Sequence, residues 1–181
     1  FKGFIQKINY FFINKFNECW VLDYEKNGLA GQLSHPKKIV RQVKYIGPQS
    51  RLLKKNLQKK FDIIAIVSGP EPQRSIFEKI LIKELKKSEK RSIIVQGKPE
   101  IKNKTKIKNL TIISHLKSNE INDVILQSEL VICRSGYSTI MDLHKLNKNA
   151  ILVPTPGQTE QEYLANYLSK NNIFKSQNQN T

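Results

Sequence analysis

The stretch LVICRSGYSTIMDLHKLNKNAILVPTPGQTEQEYLAN, residues 130–166, decides how the chain is read. It opens on the apolar run Leu130-Val131-Ile132-Cys133, which reads as a buried strand, breaks into Arg134-Ser135-Gly136, and then takes up a helical period. A second strand is predicted over 150–153. After it come Pro154, Pro156 and Gly157, then a helix whose start is marked by Thr159 with Glu162 three residues on, a capping-box spacing. Two strand-to-helix crossings in succession predict a parallel sheet with both helix N-termini at the carboxyl edge of the strands, where anionic ligands bind.

Upstream the same grammar continues. Residues 62–67 form an apolar run, followed by Ser68-Gly69-Pro70-Glu71-Pro72 and a helix carrying Ile76, Phe77, Ile80, Leu81 and Leu85 on one face, with Pro72 suited to its first turn. Further strands are predicted over 92–95, ending at Gln96-Gly97, and over 110–113, with a polar, lysine-rich loop over 98–109 between them. Residues 118–127 read as a helix capped by Ser118 or Asn119, with Ile121, Val124 and Ile125 facing inward. Strands near 62, 92, 110, 130 and 150 alternating with crossings give an α/β fold, a Rossmann-like open parallel sheet with helices on both faces.

Ahead of this lies a different region. Residues 1–16 place Phe4, Ile5, Ile8, Phe11, Phe12 and Phe16 at the steps of an amphipathic helix, and Cys19-Trp20-Val21-Leu22 reads as a strand ending at Asp23. A polar loop with Gly28, Gly31 and Pro36 fills 24–38. A short strand over 43–46 is closed by Gly47-Pro48, where a domain boundary is expected. The polar tail from Lys175 to Thr181 is expected to fray.

The 181 residues, 39% of them hydrophobic, are enough for one good core, and no apolar run approaches the roughly 20 residues of a membrane-spanning helix. No signal-peptide pattern stands near Phe1, and a start without Met is what a fragment would have. Cys19 and Cys133, each in an apolar run, suit reduced thiols in a cytoplasmic protein better than a disulfide framework. The net charge of +16 suits an anionic partner, but the excess is almost all Lys in a chain rich in Asn and Ile, as AT-rich coding produces. No aromatic residue follows the helix in the densest basic block, 79–108, to stack on bases, so nucleic acid is not the expected partner.

The order Cys133-Arg134-Ser135-Gly136, Thr139, Asp142, Val153-Pro154, Gln161, Tyr163 and Asn166 resembles the MurG-like C-terminal domain of glycosyltransferase family 28, over residues 45–174. The resemblance implies the C-terminal, donor-binding half of a GT-B fold: residues 1–46 as the remnant of an N-terminal acceptor domain and linker, 47–174 as the nucleotide-sugar domain, and 175–181 as a tail. It implies a hexosyltransferase that uses a UDP-sugar as substrate, with no cofactor and no metal, and an acceptor that is lipid-linked or a saccharide. The setting would be cytoplasmic, peripheral on an anionic membrane surface. The family's base lies in the N-terminal domain, so no catalytic residue is assigned and the fragment alone is expected to be inactive.

Residue by residue, the resemblance implies that Ser135, Gly136 and the backbone through Tyr137 and Ser138 to Thr139 cradle the diphosphate, as a helix start with a close-approaching glycine can. Asp142 would hold the ribose hydroxyls, Gln161 and Glu162 the sugar hydroxyls, and the backbone at Lys117 and Ser118 the uracil, while Arg51 would reach toward the phosphates. The side chains of Tyr137 and His144 are left unassigned, and Arg134 reads as a structural residue bonding loop carbonyls. One departure stands out. Where the family has a glycine-rich turn after the first strand, this chain has Ser68-Gly69-Pro70-Glu71-Pro72, whose prolines lack N–H donors and whose Glu71 would repel phosphate. Gly69, the one glycine of that turn, is the residue there that the resemblance assigns to donor binding. Alternatives are a UDP-sugar hydrolase or 2-epimerase of the same layout, or a noncatalytic basic module for nucleic acid or anionic membrane.

Overall fold

A computed structural model describes residues 2–35 and 43–179, with side chains from residue 7 onward. The expectations for Phe1, the side chains of Phe4 and Ile5, residues 36–38 and Thr181 lie outside the described residues. The chain divides into two compact units, Phe1–Gln49 and Ser50–Thr181.

In the second unit seven strands form one sheet. They are β3 (Phe61–Ile66), β4 (Ser92–Val95), β5 (Lys104–Ile107), β6 (Leu110–Ile113), β7 (Ser128–Cys133), β8 (Asn149–Leu152) and β9 (Lys175–Ser176). Their order is β5-β6-β4-β3-β7-β8-β9, and every pairing is parallel except β5 with β6. Leaving β5 aside, the six parallel strands run 3-2-1-4-5-6, the doubly wound order in which the chain reverses direction between its first and fourth strands. The crossings carry α2 (Gln73–Leu85), α3 (Ser118–Leu126), α4 (Tyr137–Leu146) and α5 (Thr159–Lys170). A right-handed crossover to the left of β3 and another to the right of β7 set their helices on opposite faces.

Burial explains why these runs are strands. All of β4 is buried, as expected for an inner strand covered on both faces, and Ile64, Ala65, Val131 and Leu152 are fully enclosed. Phe77, Leu81 and Leu85 bring the inner face of α2 onto Ala65, Val67 and Ile94. Where β4 ends, Gly97 lies so close to β3 that a Cβ would stand 2.7 Å from the Val67 carbonyl oxygen, at φ +68°. Only glycine lets the two loops leave the sheet side by side.

Two elements differ from expectation. The loop predicted over 98–109 contains β5, whose Lys104, Thr105 and Lys106 are exposed. It is an edge strand made by pairing with β6 across the turn at Lys108-Asn109, and its lysines guard the open edge. The tail from Lys175 is ordered at its start, because Lys175 and Ser176 pair with Ile151 and Leu152 and the Gln177 amide donates to the Leu152 carbonyl. The inward face of α3 also differs: its buried residues are Asn122, Ile125 and Leu126, with Ile121 and Val124 half-buried.

In the first unit, α1 (Lys2–Ile13) precedes β1 (Cys19–Val21), which pairs in parallel with β2 (Val43–Tyr45). Both cysteines are free, and burial pushes the Cys133 thiol up to about 12. No helix among the described residues is long and apolar enough to cross a membrane.

Residues 24–35, expected as a plain loop, are wound round the buried Asp23. Its carboxylate accepts from the Tyr24, Leu29 and Ala30 amides at 2.8, 2.7 and 3.0 Å and from the Ser34 hydroxyl at 2.6 Å. Burial pushes this carboxyl up, but the hydroxyl and the three amides outweigh it and hold it below the usual carboxylate range. The His35 ring stacks on Tyr45, with Nε2 2.8 Å from the Glu25 carbonyl oxygen and Nδ1 2.8 Å from that of Gly31. Carbonyl oxygens only accept, so this geometry favours the imidazolium, although Nδ1 also lies 2.9 Å from the Ser34 hydroxyl.

These carbonyls, Glu25 first, raise the His35 pKa against a smaller opposing effect of burial, and the nearby Asp23 and Glu25 carboxylates add to them. The stabilisation from a raised base is complete below its unfolded value, near 6.5, and is lost as pH rises through the folded value. Amide exchange at Leu29 and Ala30, corrected for the intrinsic rate, is therefore expected to lose protection as pH rises above about 6.5. Protection unchanged across that range would contradict the imidazolium assignment.

Candidate functional site

The carboxyl ends of β3, β7 and β8 open into three loops that meet where the strand order reverses. They are 67–72, 134–136 and 153–158. Arg134 ties them together. Its guanidinium is 2% exposed and lies 4.1 Å from the centroid of the Phe77 ring. Nη1 donates to the Val153 and Pro154 carbonyls at 3.2 and 3.1 Å, and Nη2 to the Gln73 carbonyl at 3.1 Å and to Gln179 Oε1 at 2.6 Å. Burial pulls its pKa down to about 10, which leaves it a cation at neutral pH.

Beside it, Ser135 is fully buried and donates from Oγ to the Gln161 carbonyl at 2.8 Å. The Gln161 side chain turns back, and its Oε1 accepts from the Thr155 amide at 2.9 Å. Glu162 Oε1 accepts from the Gly157 amide at the same distance. Gln161 and Glu162 thus fasten the Pro/Gly loop to the first turn of α5, while Gln158, one residue before the expected Thr159, caps the helix.

The helix starts along this edge differ in how their spare N–H groups are used. At α2, Glu71 folds back, accepting from the Ser75 amide at 3.2 Å, the Ser75 hydroxyl at 3.0 Å and Arg74 Nε at 2.6 Å. At α3 the cap is Lys117 rather than Ser118 or Asn119, and its amide donates to Glu120 at 2.7 Å. The first turn of α5 carries Glu160 and Glu162. Helix α4 has Gly136 at its cap, no side-chain cap and no acidic residue in its first turn, and a Cβ on Gly136 would meet nothing within 4 Å. Tyr137, Ser138 and Thr139 start this helix, so the partial positive charge of its N-terminus opens beside the Arg134 loop.

Asp142 lies further along α4, and its Oδ1 accepts from the Ser50 hydroxyl at 2.5 Å. Two residues beyond Arg51, the Leu53 amide donates to Asn122 Oδ1 at 2.9 Å and its carbonyl accepts from Asn122 Nδ2 at 3.1 Å. Residues 50–53 therefore form a strap from α4 to α3, with the exposed Arg51 between its two anchors. Asn122 is a residue that sequence reasoning missed. Its one signal was an amide among the apolar residues of a helix face.

Lys117 and Ser118 stand apart from this cluster. They follow β6, three strand spacings from β7, or about 14 Å. A cavity of about 350 Å³ opens there, lined by Ile101, Asn103, Ser114, His115, Lys117 and Glu120 among others. Gly69, at φ +105° in the exposed loop after β3, faces Thr155, whose Oγ1 lies 3.8 Å from the position of a Cβ on the glycine.

Residues 63–179 match the model of the glycosyltransferase family 28 C-terminal domain. The chain belongs to that family. Among solved structures it is similar to MurG of Acinetobacter baumannii, with a TM-score of 0.53, 22% identity, and coverage of 68% of this chain and 38% of that one. It is also similar to the glycotransferase of kitacinnamycin, with a TM-score of 0.50, 11% identity, and coverage of 77% of this chain and 37% of that one. The chain thus spans less than two-fifths of either. At these identities the likeness establishes a shared fold, the mostly parallel GT-B half. No curated protein matches.

The family-28 edge depends on the buried arginine, which gives a prediction. Arg134→Met leaves the ring contact with Phe77 but strips four acceptors of their donor. It is expected to destabilise the second unit by about 2–4 kcal/mol, since unsatisfied buried acceptors cost about 1–3 kcal/mol each and partly relax. Urea unfolding measures this, and a midpoint equal to that of the native sequence would contradict it.

Proposed function

We propose that this chain is the donor-binding part of a glycosyltransferase that takes a UDP-sugar. One observation carries the reading. In a family-28 domain, the helix start left open among α2 to α5 is the one at the point where the strand order reverses. A diphosphate at Gly136 to Thr139 would be met by backbone N–H groups and the helix dipole, with the Arg134 cation buried behind the turn.

The remaining roles follow from position. Asp142, held toward the strap by Ser50, would accept from the ribose hydroxyls. Gln161 and Glu162 each use one side-chain oxygen on the loop, so the Gln161 amide nitrogen and the second Glu162 oxygen would meet the sugar. The cavity beside Lys117 and Ser118 would take the uracil, and Arg51 in the strap would approach the phosphates. Ser135 would act through position, fixing the turn against Gln161. Departure of the diphosphate would be assisted by these fixed dipoles rather than by a resident metal. The acceptor, lipid-linked or saccharide, and the base that activates it would come from the rest of the two-domain enzyme, so this chain alone is expected to bind the donor without transferring the sugar. Exposed Phe11, Phe12, Phe16 and Trp20 in the first unit suit a cytoplasmic enzyme working at a membrane face.

Calorimetric titration tests the reading. Asp142→Asn keeps an acceptor for Ser50 but removes the charge, and is expected to weaken UDP binding by on the order of 1–3 kcal/mol with the fold intact. Gln161→Ala should lower affinity for a UDP-sugar more than for UDP. Equal UDP affinity in Asp142→Asn and the native chain would sink the ribose assignment. Failure of the native chain to bind any nucleoside diphosphate would sink the whole reading.

A further inference from the structure

Among the described residues, three buried side-chain polar atoms have no hydrogen-bond partner: Asn14 Oδ1, Arg134 Nε and Thr155 Oγ1. Two of them belong to the loops that meet at the strand-order reversal. Buried polar groups are nearly always paired, so an unpaired one at this edge asks for a partner. Thr155 is 3% exposed, and its Oγ1 is turned toward Gly69.

The loop over it is poor in donors. Pro70 and Pro72 have no N–H, and Glu71 is committed to Ser75 and Arg74, closing the start of α2 to any other anion. On the β3 side, therefore, the loop offers the reversal point only the Ser68, Gly69 and Glu71 amides, two fewer N–H groups than a loop without proline. Thr155, in the loop after β8, lies across from that segment. We propose that the Thr155 hydroxyl donates a hydrogen bond to the diphosphate of the bound nucleotide, adding a donor beside a loop in which Pro70 and Pro72 have none. The proposal rests on the donor-binding reading above.

The position is rigid from below and yielding from above. The Thr155 amide is fixed by Gln161, and the two carbonyls before it, Val153 and Pro154, are fixed by Arg134, so the hydroxyl sits on a held backbone. Above it, Ser68, Gly69 and Pro70 are exposed, and no hydrogen bond among the described residues joins Ser68 or Gly69 to the 153–158 loop. A diphosphate seated at Gly136 would reach Oγ1 by lifting that short segment, and a glycine at its centre leaves no side chain in the way. Without the ligand, the unpaired hydroxyl costs stability, as groups kept for binding do.

That cost makes the test specific. Thr155→Val keeps the shape and removes the hydroxyl; Thr155→Ser keeps the hydroxyl. Thermal unfolding without ligand, and titration with UDP and with inorganic pyrophosphate, are measured for the native chain, both variants and Asp142→Asn. Thr155→Val is expected to melt at or above the native temperature yet bind UDP and pyrophosphate about tenfold more weakly, with Thr155→Ser within about twofold of native. A structural hydroxyl would give the reverse, a lower melting temperature with affinity unchanged, and would overturn the proposal. Native-like UDP affinity in Thr155→Val while Asp142→Asn binds weakly would overturn it and leave the donor reading standing. Loss of UDP affinity without loss of pyrophosphate affinity would move the contact off the diphosphate and overturn it too. A native chain that binds neither probe would overturn both.

Discussion

The buried guanidinium of Arg134 is the constraint on which the edge of the sheet depends. Four acceptors from three parts of the chain converge on it: two carbonyls of the loop after β8, the first carbonyl of α2, and the Gln179 side chain beyond β9. A planar fork can serve all four while stacking on Phe77, which a lysine ammonium could not do. Desolvating a cation is costly, and the drop in its pKa to about 10 reflects that. The cost is offset because the Val153 and Pro154 carbonyls would otherwise be unpaired in a loop packed against the core. The same charge, kept out of water, strengthens the positive field behind the start of α4.

Around that point the chain distributes its carboxylates so that the start of α4 is left without one. Glu71, Glu120 and Glu162 each satisfy backbone donors at or beside the start of their own helix, and each lowers the appeal of that start to a phosphate. The Glu71 carboxyl is held below its usual range by the Ser75 hydroxyl first and by Arg74 next, so it stays charged and folded back. The worry raised by the sequence, that Glu71 would repel a phosphate, is answered by where it points. Glu71 is tied to Arg74 and Ser75 at the start of its own helix, and the start of α4 is left without such a carboxylate.

The central strands were legible from sequence because an inner parallel strand must be apolar on both faces, and β3, β4, β6, β7 and β8 are short apolar runs bounded by turn residues. The edge strands were not. Lys104 to Ile107 and Lys175-Ser176 carry no strand pattern, and they are strands because a neighbour's backbone groups need pairing. Likewise, nothing local announces that residues 24–35 are ordered. Asp23 collects donors from residues up to eleven positions away, a contact that propensity cannot register. The residues of the candidate site were named by resemblance, and their composition alone would have left them as turn and surface residues. What the structure added is how they are held: Ser135 to Gln161, Gln161 to Thr155, Asp142 to Ser50.

The strap over residues 50–53 ties the start of the second unit to α4 and α3. Asp142 on α4 and Asn122 on α3 are both engaged by it, and Lys55 extends the contact with an ion pair to Asp123 at 2.6 Å. That exposed pair adds little stability. The two side-chain anchors matter more, because they fix where Asp142 and Arg51 stand before any ligand arrives. A carboxylate already oriented by a hydroxyl loses less freedom on accepting a second donor, so part of the entropic cost of recognition is met in folding. The strap also makes Asp142 and the beginning of this unit one mechanical element. A displacement of residues 50–53 must move Ser50 away from Asp142, and so must alter the group proposed to hold the nucleotide.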